Sequence, residues 1–278
     1  MIIVDYSGIA IASIIINKTN EEGLIRHMIL NTLRMYRKKF KDDYGEIVLA
    51  VDSPVNWRKD AFPQYKALRK KSRQKHDIDW EESFRILNLV REEIFENFPY
   101  KVIQIEGCEA DDVIATLVEE TQEFGKTEPV MIVSADHDFI QLQKYNNVQQ
   151  YSPMTKKLVD NPNPRLYLLD HVLRGDTGDG VPNILSSDNT FVDGLRQTPL
   201  TKKRKDELFK SLESLSSDEQ RNYERNKMMI DLSETPSELK NKIIDTYDNQ
   251  DQWGNKGKVF PYLVDKKLKL IEDVSDFV

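Results

Sequence analysis

The 278-residue chain has a single cysteine, Cys108, and no apolar run near the ~20 residues that a membrane-spanning helix needs. One cysteine excludes a disulfide scaffold and a cysteine-based zinc site, and it is typical of a reducing compartment. The apolar residues 1–16 are interrupted by Asp5 and lack a basic leader, so they do not predict a signal peptide. We therefore expect a soluble, cytoplasmic protein that has no membrane partner.

An excess of positive charge is also lacking, since 47 acidic residues outnumber 40 basic ones and the formal net charge is −7. Taken as a whole, this balance argues against nucleic-acid binding, which usually requires a basic surface. The basic residues are unevenly distributed, however. Residues 57–75 contain eight of them against one acid, Asp60. The distribution of charge is therefore more informative than its sum.

Short apolar runs rich in β-branched residues alternate with segments of helical spacing in the first half of the chain. Such runs are typical of strands buried on both faces, and the alternation predicts an α/β domain with a mostly parallel central sheet flanked by helices. The predicted strands are residues 2–4, 46–51, 101–105 and 129–134. We expect this domain to span residues 1–170. The helical pattern that follows predicts a smaller C-terminal helical domain at residues 171–278.

Acidic residues follow the predicted strands. Asp5, Asp52 and Asp136 each stand at, or just past, the carboxyl end of a strand. Because ligands bind outside these ends in open parallel sheets, we expect the three side chains to meet in one crevice. Further acids occur at a predicted helix start, beside Asp136 and in a glycine-rich turn: Glu109, Asp111, Asp112, Asp138, Asp176 and Asp179.

Each acidic group has an ordinary explanation when it is taken alone, because acids favour the start of a helix and are common in turns. Their conjunction is what points to a site. Two carboxylates 4 Å apart repel by about 4 kcal/mol at an effective dielectric constant of 20, so a cluster must hold protons or bind cations. Oxygen ligands without cysteine or a convergent histidine favour Mg²⁺ or Mn²⁺. Two such ions can activate water and stabilise the leaving oxygen in phosphodiester hydrolysis.

The basic segment follows Asp52 directly, at the mouth of the predicted crevice. A run of charge is usually a solvated face, but this position favours an arch, at about residues 57–76, that grips a nucleic-acid strand through its phosphates. Tyr65 could stack on a base. The residues expected to contact nucleic acid in this segment are Arg58, Lys59, Tyr65, Lys66, Arg69, Lys70, Lys71 and Arg73.

The order and context of these residues resemble the flap endonuclease/5′-to-3′ exonuclease family, which includes the N-terminal nuclease domain of bacterial DNA polymerase I. Residues 63–69 look like the arch of that family. Within it, the chain resembles the ribonucleases H of T-even bacteriophages from end to end. The resemblance is carried by Asp5, Asp52, Glu109-Ala110-Asp111-Asp112, Asp136-His137-Asp138 and Gly175-Asp176-x-x-Asp179.

The resemblance implies a 5′ nuclease with a PIN-like core that removes RNA primers and 5′ flaps during phage DNA replication. It implies two Mg²⁺ ions, for which Mn²⁺ could substitute, and it makes Lys66, Arg69 and Asp136 the catalytic residues. The implied metal ligands are Asp5, Asp52, Glu109, Asp111, Asp112, Asp136, Asp138, Asp176 and Asp179. Asp111 matches a family acid that some relatives replace.

The implied substrates are RNA–DNA hybrids, 5′ flaps and nicked duplex DNA. The implied protein is a monomer in the host cytoplasm, with a single-stranded DNA-binding protein or a sliding clamp as a partner. The chain departs from the family pattern after Asp179, where a second glycine pair is lacking. We therefore expect duplex contact to pass from a tight helix–hairpin–helix to the 186–190 loop and to Lys202, Lys203 and Arg204.

Two other interpretations remain open at this point. A Toprim-type metal nuclease uses one Glu and an Asp-x-Asp pair, which would leave Asp5, Asp52, Asp176 and Asp179 unexplained. A non-catalytic replication protein that binds DNA structures, descended from such a nuclease, is the alternative of the binding class. The presence of all nine acids argues against it.

Overall fold

The computed structural model describes residues 1–69, 78–122, 125–268 and 273–278. Six strands form a sheet in the spatial order β3-β2-β1-β4-β5-β6. All neighbouring strands are parallel except β5 and β6. The strands are β1 (Ile2–Asp5), β2 (Ile47–Val51), β3 (Lys101–Gln104), β4 (Val130–Val133), β5 (Val148–Ser152) and β6 (Lys157–Val159).

Ten α-helices lie in the described part of the chain, together with a 3₁₀ helix at His137–Lys144 and shorter 3₁₀ turns. The helices are α1 (Tyr6–Asn17), α2 (Glu22–Tyr44), α3 (Trp57–Ala61), α4 (Trp80–Asn97), α5 (Ala110–Gln122), α6 (Pro164–Arg174), α7 (Lys202–Leu208), α8 (Ser217–Ile230), α9 (Ser237–Asn249) and α10 (Val259–Asp265). Within these described ranges, no helix combines the length and apolarity needed to cross a bilayer.

The predicted mostly parallel sheet is confirmed, and each of the four predicted strands is present within a residue or two. The pattern did not predict β5 and β6, because β5 carries Gln149 and Gln150 and β6 is a three-residue edge strand. It also did not predict α1, whose sequence is apolar almost throughout. Such a run has no clear helical period, so only its tertiary context identifies it as a helix.

The sheet separates two layers of helices, each with its own core. Because side chains alternate along a strand, β1 sends Ile2 and Val4 to one face and Ile3 to the other. Helices α1, α2 and α4 cover the first face. Helix α5 covers the second face. Because these strands are buried on both faces, their sequences are almost unbroken apolar runs.

The C-terminal region does not form one separate domain. The predicted boundary between residues 170 and 171 falls inside α6, and small cores join α6 to α7 and α8. Farther along, Ile243 of α9 enters the core over α5. Leu263 and Phe277 enter the core on the opposite face. The region therefore begins by packing against Phe62 and Tyr65 of the arch and ends by packing on both sides of the sheet.

We expect Phe277→Ala to lower the free energy of unfolding by about 3–5 kcal/mol, the usual cost of truncating a buried phenylalanine. Phe277 is fully buried and its ring lies 5.5 Å from that of Phe98, which belongs to α4's side of the core. Urea denaturation of the whole chain measures the effect. Phe260→Ala is the matched control, because Phe260 is 61% exposed. It should change stability by no more than about 0.5 kcal/mol. Equal effects of the two substitutions would contradict this account.

Candidate metal and nucleic-acid site

The carboxyl ends of β1, β2 and β4 bring Asp5, Asp52 and Asp136 to the same edge of the sheet. The chain winds in opposite directions from β1, toward β2 on one side and β4 on the other, which is where open sheets form a crevice. Asp5 accepts hydrogen bonds from Gly8 N at 2.8 Å and from Ser134 Oγ at 3.1 Å, so it joins β1 to β4. Asp52 accepts one from Ala110 N at 2.9 Å, which places the start of α5 at the same edge.

Gln150 of β5 fixes the segment that carries Asp136. Its side-chain amide donates to the carbonyl oxygens of Ser134, at 3.1 Å, and Asp136, at 2.6 Å. The Asp136 carboxylate in turn accepts from Asp138 N at 2.9 Å and begins the 3₁₀ helix. A strand that the sequence pattern did not predict therefore holds one of the predicted catalytic acids in place.

Three acids of the cluster lack enough positive charge around them. Burial, followed by repulsion from Asp52, raises the pKa of Asp5 to about 6. Burial raises the pKa of Asp111 well above its usual range, and Asp136 and Glu109 add to this rise. Burial, with repulsion from Asp138, raises the pKa of Asp136. Divalent cations would supply the missing charge, so this all-oxygen donor set fits Mg²⁺ or Mn²⁺.

Asp112 differs from the other acids because protein donors surround it completely. It is fully buried and pairs with Arg58 at 2.9 Å, and it accepts from Glu109 N at 2.8 Å and Thr235 Oγ1 at 2.7 Å. Arg58 is itself 1% exposed and also donates to the carbonyl oxygen of Met229 at 3.1 Å. The predicted phosphate contact of Arg58 is therefore wrong, since a guanidinium this deeply buried cannot reach a nucleic-acid strand.

Tyr65 and Lys66 lie between Glu109 and Asp179. The hydroxyl of Tyr65 lies 2.8 Å from Glu109 Oε2 and 3.0 Å from Asp179 Oδ2. Its ring is buried, so the predicted stacking of Tyr65 on a base is wrong. Lys66 Nζ pairs with Glu109 and lies 3.4 Å from Asp179, while Arg69 pairs with Asp179 from the solvent side. Burial alone would lower the pKa of Lys66, but Asp179 and Glu109 raise it, so its ammonium stays charged.

The glycine-rich turn is a tight hairpin that points two acids into the cluster. Backbone hydrogen bonds of 2.8 and 2.7 Å join Asp176 and Val181, and Asp176 Oδ1 accepts from Asp179 N at 2.9 Å. Gly175 has a φ of 68°, and a Cβ there would lie 2.4 Å from the carbonyl oxygen of Val181. Glycine is therefore required at the base of the hairpin. Lys66 N donates to the Asp179 carbonyl oxygen at 2.7 Å, and this hydrogen bond attaches the arch to the hairpin.

His171 is the residue of the cluster that sequence reasoning missed. The expectation that no histidine converges on the acids is wrong, because Nδ1 of His171 lies 3.2 Å from Asp138 Oδ1 and Nε2 lies 3.1 Å from Asp176 Oδ2. The three side chains can present ligand atoms within 4.8 Å of one another. Burial lowers the pKa of His171, but the two carboxylates outweigh it and raise that pKa to about 9. His171 and Asp176 are five residues apart, a spacing that does not indicate a contact between them in the sequence.

The remaining predicted contacts fall into three groups. Lys59, Lys202 and Lys203 are exposed, as a phosphate contact requires. Arg204 instead makes contacts within the protein, since it donates hydrogen bonds to the Ser214 carbonyl oxygen and to Glu219. The other predicted residues of the arch, Lys70, Lys71 and Arg73, lie outside the described residues.

The 186–190 loop is anchored to the protein at both ends, while Ser187 and Asn189 between them are exposed. Ser186 and Thr190 are buried, and Asp188 pairs with Arg221 and Arg225. The expected duplex contact at this loop therefore stays a prediction, with Ser187 and Asn189 as its exposed residues. Lys202 and Lys203 remain the basic candidates near it.

The fold and the acid cluster define a class, the α/β proteins with a cluster of acidic side chains at the carboxyl edge of a mostly parallel sheet. The family model described as "5′-3′ exonuclease, N-terminal resolvase-like domain" matches residues 1–165. A second, described as "T4 RNase H, C terminal", matches residues 163–277. The chain therefore belongs to the 5′-3′ exonuclease family, as its motifs predicted.

Individual relatives agree with this assignment. The ribonuclease H of Enterobacteria phage T4 is 32% identical over 292 residues, which cover 99% of this chain and 95% of that protein. The 5′-3′ exonuclease of Buchnera aphidicola is 29% identical over 175 residues, covering 60% of this chain and 57% of that protein.

Solved structures of bacteriophage T5 proteins show the same fold. The T5 5′-exonuclease with bound zinc has a TM-score of 0.63 at 16% identity, covering 89% of this chain and 98% of its own. A pseudo-enzyme-product complex of the T5 flap endonuclease with DNA and metal ions has a TM-score of 0.60 at 17% identity, covering 98% and 99%.

We expect Asp112→Asn to lower the free energy of unfolding by about 3–5 kcal/mol, because it breaks a buried ion pair and leaves Arg58 under-compensated. Urea denaturation measures the loss. Asp265→Asn is the matched control, since that side chain is 74% exposed in its pair with Lys266. It should shift stability by about 0.5 kcal/mol or less. Wild-type stability of Asp112→Asn would show that the Arg58–Asp112 pair does not hold the arch to α5.

Proposed function

We propose that this protein is a divalent-metal-dependent 5′ nuclease that hydrolyses phosphodiester bonds in 5′ flaps, nicked duplex DNA and RNA–DNA hybrids. The observation that carries the proposal is the meeting of under-compensated carboxylates with Lys66 and Arg69 at one edge of the sheet. The carboxylates repel one another and need metal ions to neutralise them. Lys66 and Arg69 lie beside them and can bind a phosphate. Family membership supports the same chemistry.

The carboxylates would hold two ions in two groups. We propose Asp5, Asp52, Asp111 and Asp136 as ligands of one ion at the ends of the strands, together with Glu109. We propose Asp138 and Asp176 as ligands of the other, where their oxygens can approach within 4.8 Å of each other, with Asp179 from the same hairpin. We propose Mg²⁺ as the natural ion and Mn²⁺ as a substitute, because both prefer oxygen ligands. When bound, such ions supply activation of the attacking water and stabilisation of the leaving oxygen.

Asp112 has a different role in this scheme. Since its oxygens already accept from Arg58, Thr235 and a backbone N–H, it positions α5 and contributes to metal binding only through its neighbours. The two acids that precede it, Glu109 and Asp111, then face the cluster from a fixed helix start.

Lys66 and Arg69 would bind the scissile phosphate and stabilise the charge that develops on it. Both are already held at the cluster by Glu109 and Asp179, so a phosphate arriving there meets positive charge without a large rearrangement. Arg69 is half exposed and can offer two parallel N–H groups to a phosphate. Lys66 is nearly enclosed and acts as a point charge.

Binding of the rest of the substrate would use basic residues outside the cluster. We propose Lys59 and the arch on one side, and Lys202 and Lys203 on the duplex side, as phosphate contacts. The similarity to a phage ribonuclease H supports a role in removing RNA primers and flaps during phage DNA replication in the host cytoplasm. A single-stranded DNA-binding protein or a sliding clamp is the partner class that this role would involve, with the nuclease as a monomer.

The alternatives are less well supported. A Toprim-type site would leave the strand-end acids Asp5 and Asp52 without a role, and the family match does not favour it. A non-catalytic DNA-binding protein would not need acids such as Asp5, Asp111 and Asp136, which lack compensating charge, at one edge of the sheet. Cleavage of a labelled flap separates this last alternative from the nuclease.

We expect the protein with Mg²⁺ to release short 5′-labelled products from flap, nicked and RNA–DNA hybrid substrates, and chelation to abolish release. Asp136→Asn should lower the single-turnover rate at least about 100-fold, since it removes a metal-facing charge worth several kcal/mol in the transition state. Flap affinity, measured by fluorescence anisotropy in EDTA, should stay within about threefold of wild type. Tight flap binding without any cleavage by the wild type would instead favour the non-catalytic alternative.

Lys66→Met should lower the single-turnover rate about 100- to 1,000-fold, the usual effect of removing one preorganised donor to developing charge. The matched control is Lys242→Met, because the Lys242 side chain is 55% exposed on α9, in a pair with Glu238. That control should cleave at the wild-type rate. A Lys66→Met rate within about threefold of wild type would remove Lys66 from the catalytic residues.

A further inference from the structure

His171 connects two parts of the acid cluster that come from different regions of the chain. Asp138 belongs to the region matched by the N-terminal family model, and Asp176 to the region matched by the C-terminal one. Asp138 lies on a 3₁₀ helix and Asp176 on a separate hairpin, so no shared element of secondary structure fixes the distance between their carboxylates. Two like charges in this position repel each other, so something must hold them together.

The position of His171 suits that task. It lies in the last turn of α6 and is 4% exposed. The ring of Tyr167, one turn earlier, meets it edge-on with the centroids 6.0 Å apart, and thereby limits its rotation. The imidazole is therefore a rigid element between the two acids.

Both ring nitrogens are engaged. Nδ1 lies 3.2 Å from Asp138 Oδ1, and Nε2 lies 3.1 Å from Asp176 Oδ2. An imidazole ring that donates from both nitrogens bridges two carboxylates at a fixed distance, and each carboxylate keeps lone pairs for a metal ion. By contrast, a ring that coordinated an ion would have to release one of these two contacts.

We propose that His171 is a positioning residue for metal binding: it bridges Asp138 and Asp176 so that both carboxylates face the same divalent ion. This inference rests on the proposed function, and it adds a residue that determines the geometry of one of the two metal positions. His171 itself touches neither the ion nor the substrate. Its effect passes through the two carboxylates, as the hydrogen-bond partners of metal ligands do in general.

Mn²⁺ binding to the whole folded chain tests the proposal without reference to cleavage. Free Mn²⁺, followed by electron paramagnetic resonance during a titration, gives the number of sites and their affinities. His171→Ala should weaken one class of site about 10- to 100-fold. His171→Lys, which keeps a cationic donor between the carboxylates, should recover affinity to within about tenfold of wild type. His27→Ala, on α2, is the matched control and should bind Mn²⁺ like the wild type. A His171→Ala protein with wild-type Mn²⁺ affinity at every site would overturn the proposal.

A measurement on the wild type keeps the proposal testable if His171→Ala does not fold. Pulsed electron paramagnetic resonance of bound Mn²⁺ detects the coupling of a directly coordinated imidazole nitrogen. Absence of that coupling, with Mn²⁺ bound at both positions, is the expected result. Its presence would make His171 a ligand and overturn the positioning role.

The outcome is separable from that of the proposed function. Weakened Mn²⁺ binding by His171→Ala, in a protein that cleaves no flap, would support the positioning role and count against the nuclease. Flap cleavage by a wild type whose His171→Ala variant binds Mn²⁺ normally would support the nuclease and remove only His171.

Discussion

The mutual repulsion of carboxylates at one edge of the sheet is the constraint on which the rest of this structure depends. The carboxylates fall into two groups, according to whether the protein supplies a cation to offset this repulsion. Glu109, Asp112, Asp176 and Asp179 each have an internal cation, supplied by Arg58, Lys66, Arg69 or His171. Burial would raise the pKa of Asp176, but His171 and the backbone N–H groups of Gly178 and Asp179 outweigh it and lower that pKa to about 2. Asp5, Asp111 and Asp136 have too little compensation, and their pKa values rise. The second group is where we propose that external cations bind.

The internal cations also explain how distant parts of the chain are assembled. Arg58 reaches Asp112 on α5 and the Met229 carbonyl at the end of α8, so one side chain joins the arch, the sheet layer and the C-terminal region. Gln141 adds a second link, since it accepts from Leu232 N and donates to the Ile230 carbonyl. The contacts that build the site are therefore also contacts that hold the two regions together.

The sequence was informative where a property is local. Strand positions follow from apolar runs, and the acids at strand ends follow from the rule that parallel strands end at one edge. Partners were not predictable, because they depend on burial far along the chain. Arg58 and Asp112 are 54 residues apart, and nothing in a basic segment distinguishes a buried arginine from an exposed one. Tyr65 was misassigned for the same reason. His171 was missed because its two acids become neighbours only when α6 packs on the 3₁₀ helix.

Helix α6 joins the two family regions, and its rigidity has a mechanical consequence. It begins at Asn163 and Pro164, where the two family models meet, and its last turn carries His171. A flexible linker would let the regions move independently, but an 11-residue helix is a stiff rod of about 16 Å. A change in the angle between this helix and the sheet would therefore change the gap between Asp138 on the 3₁₀ helix and Asp176 beyond α6. The metal position that we propose between them would then depend on how the two family regions are aligned.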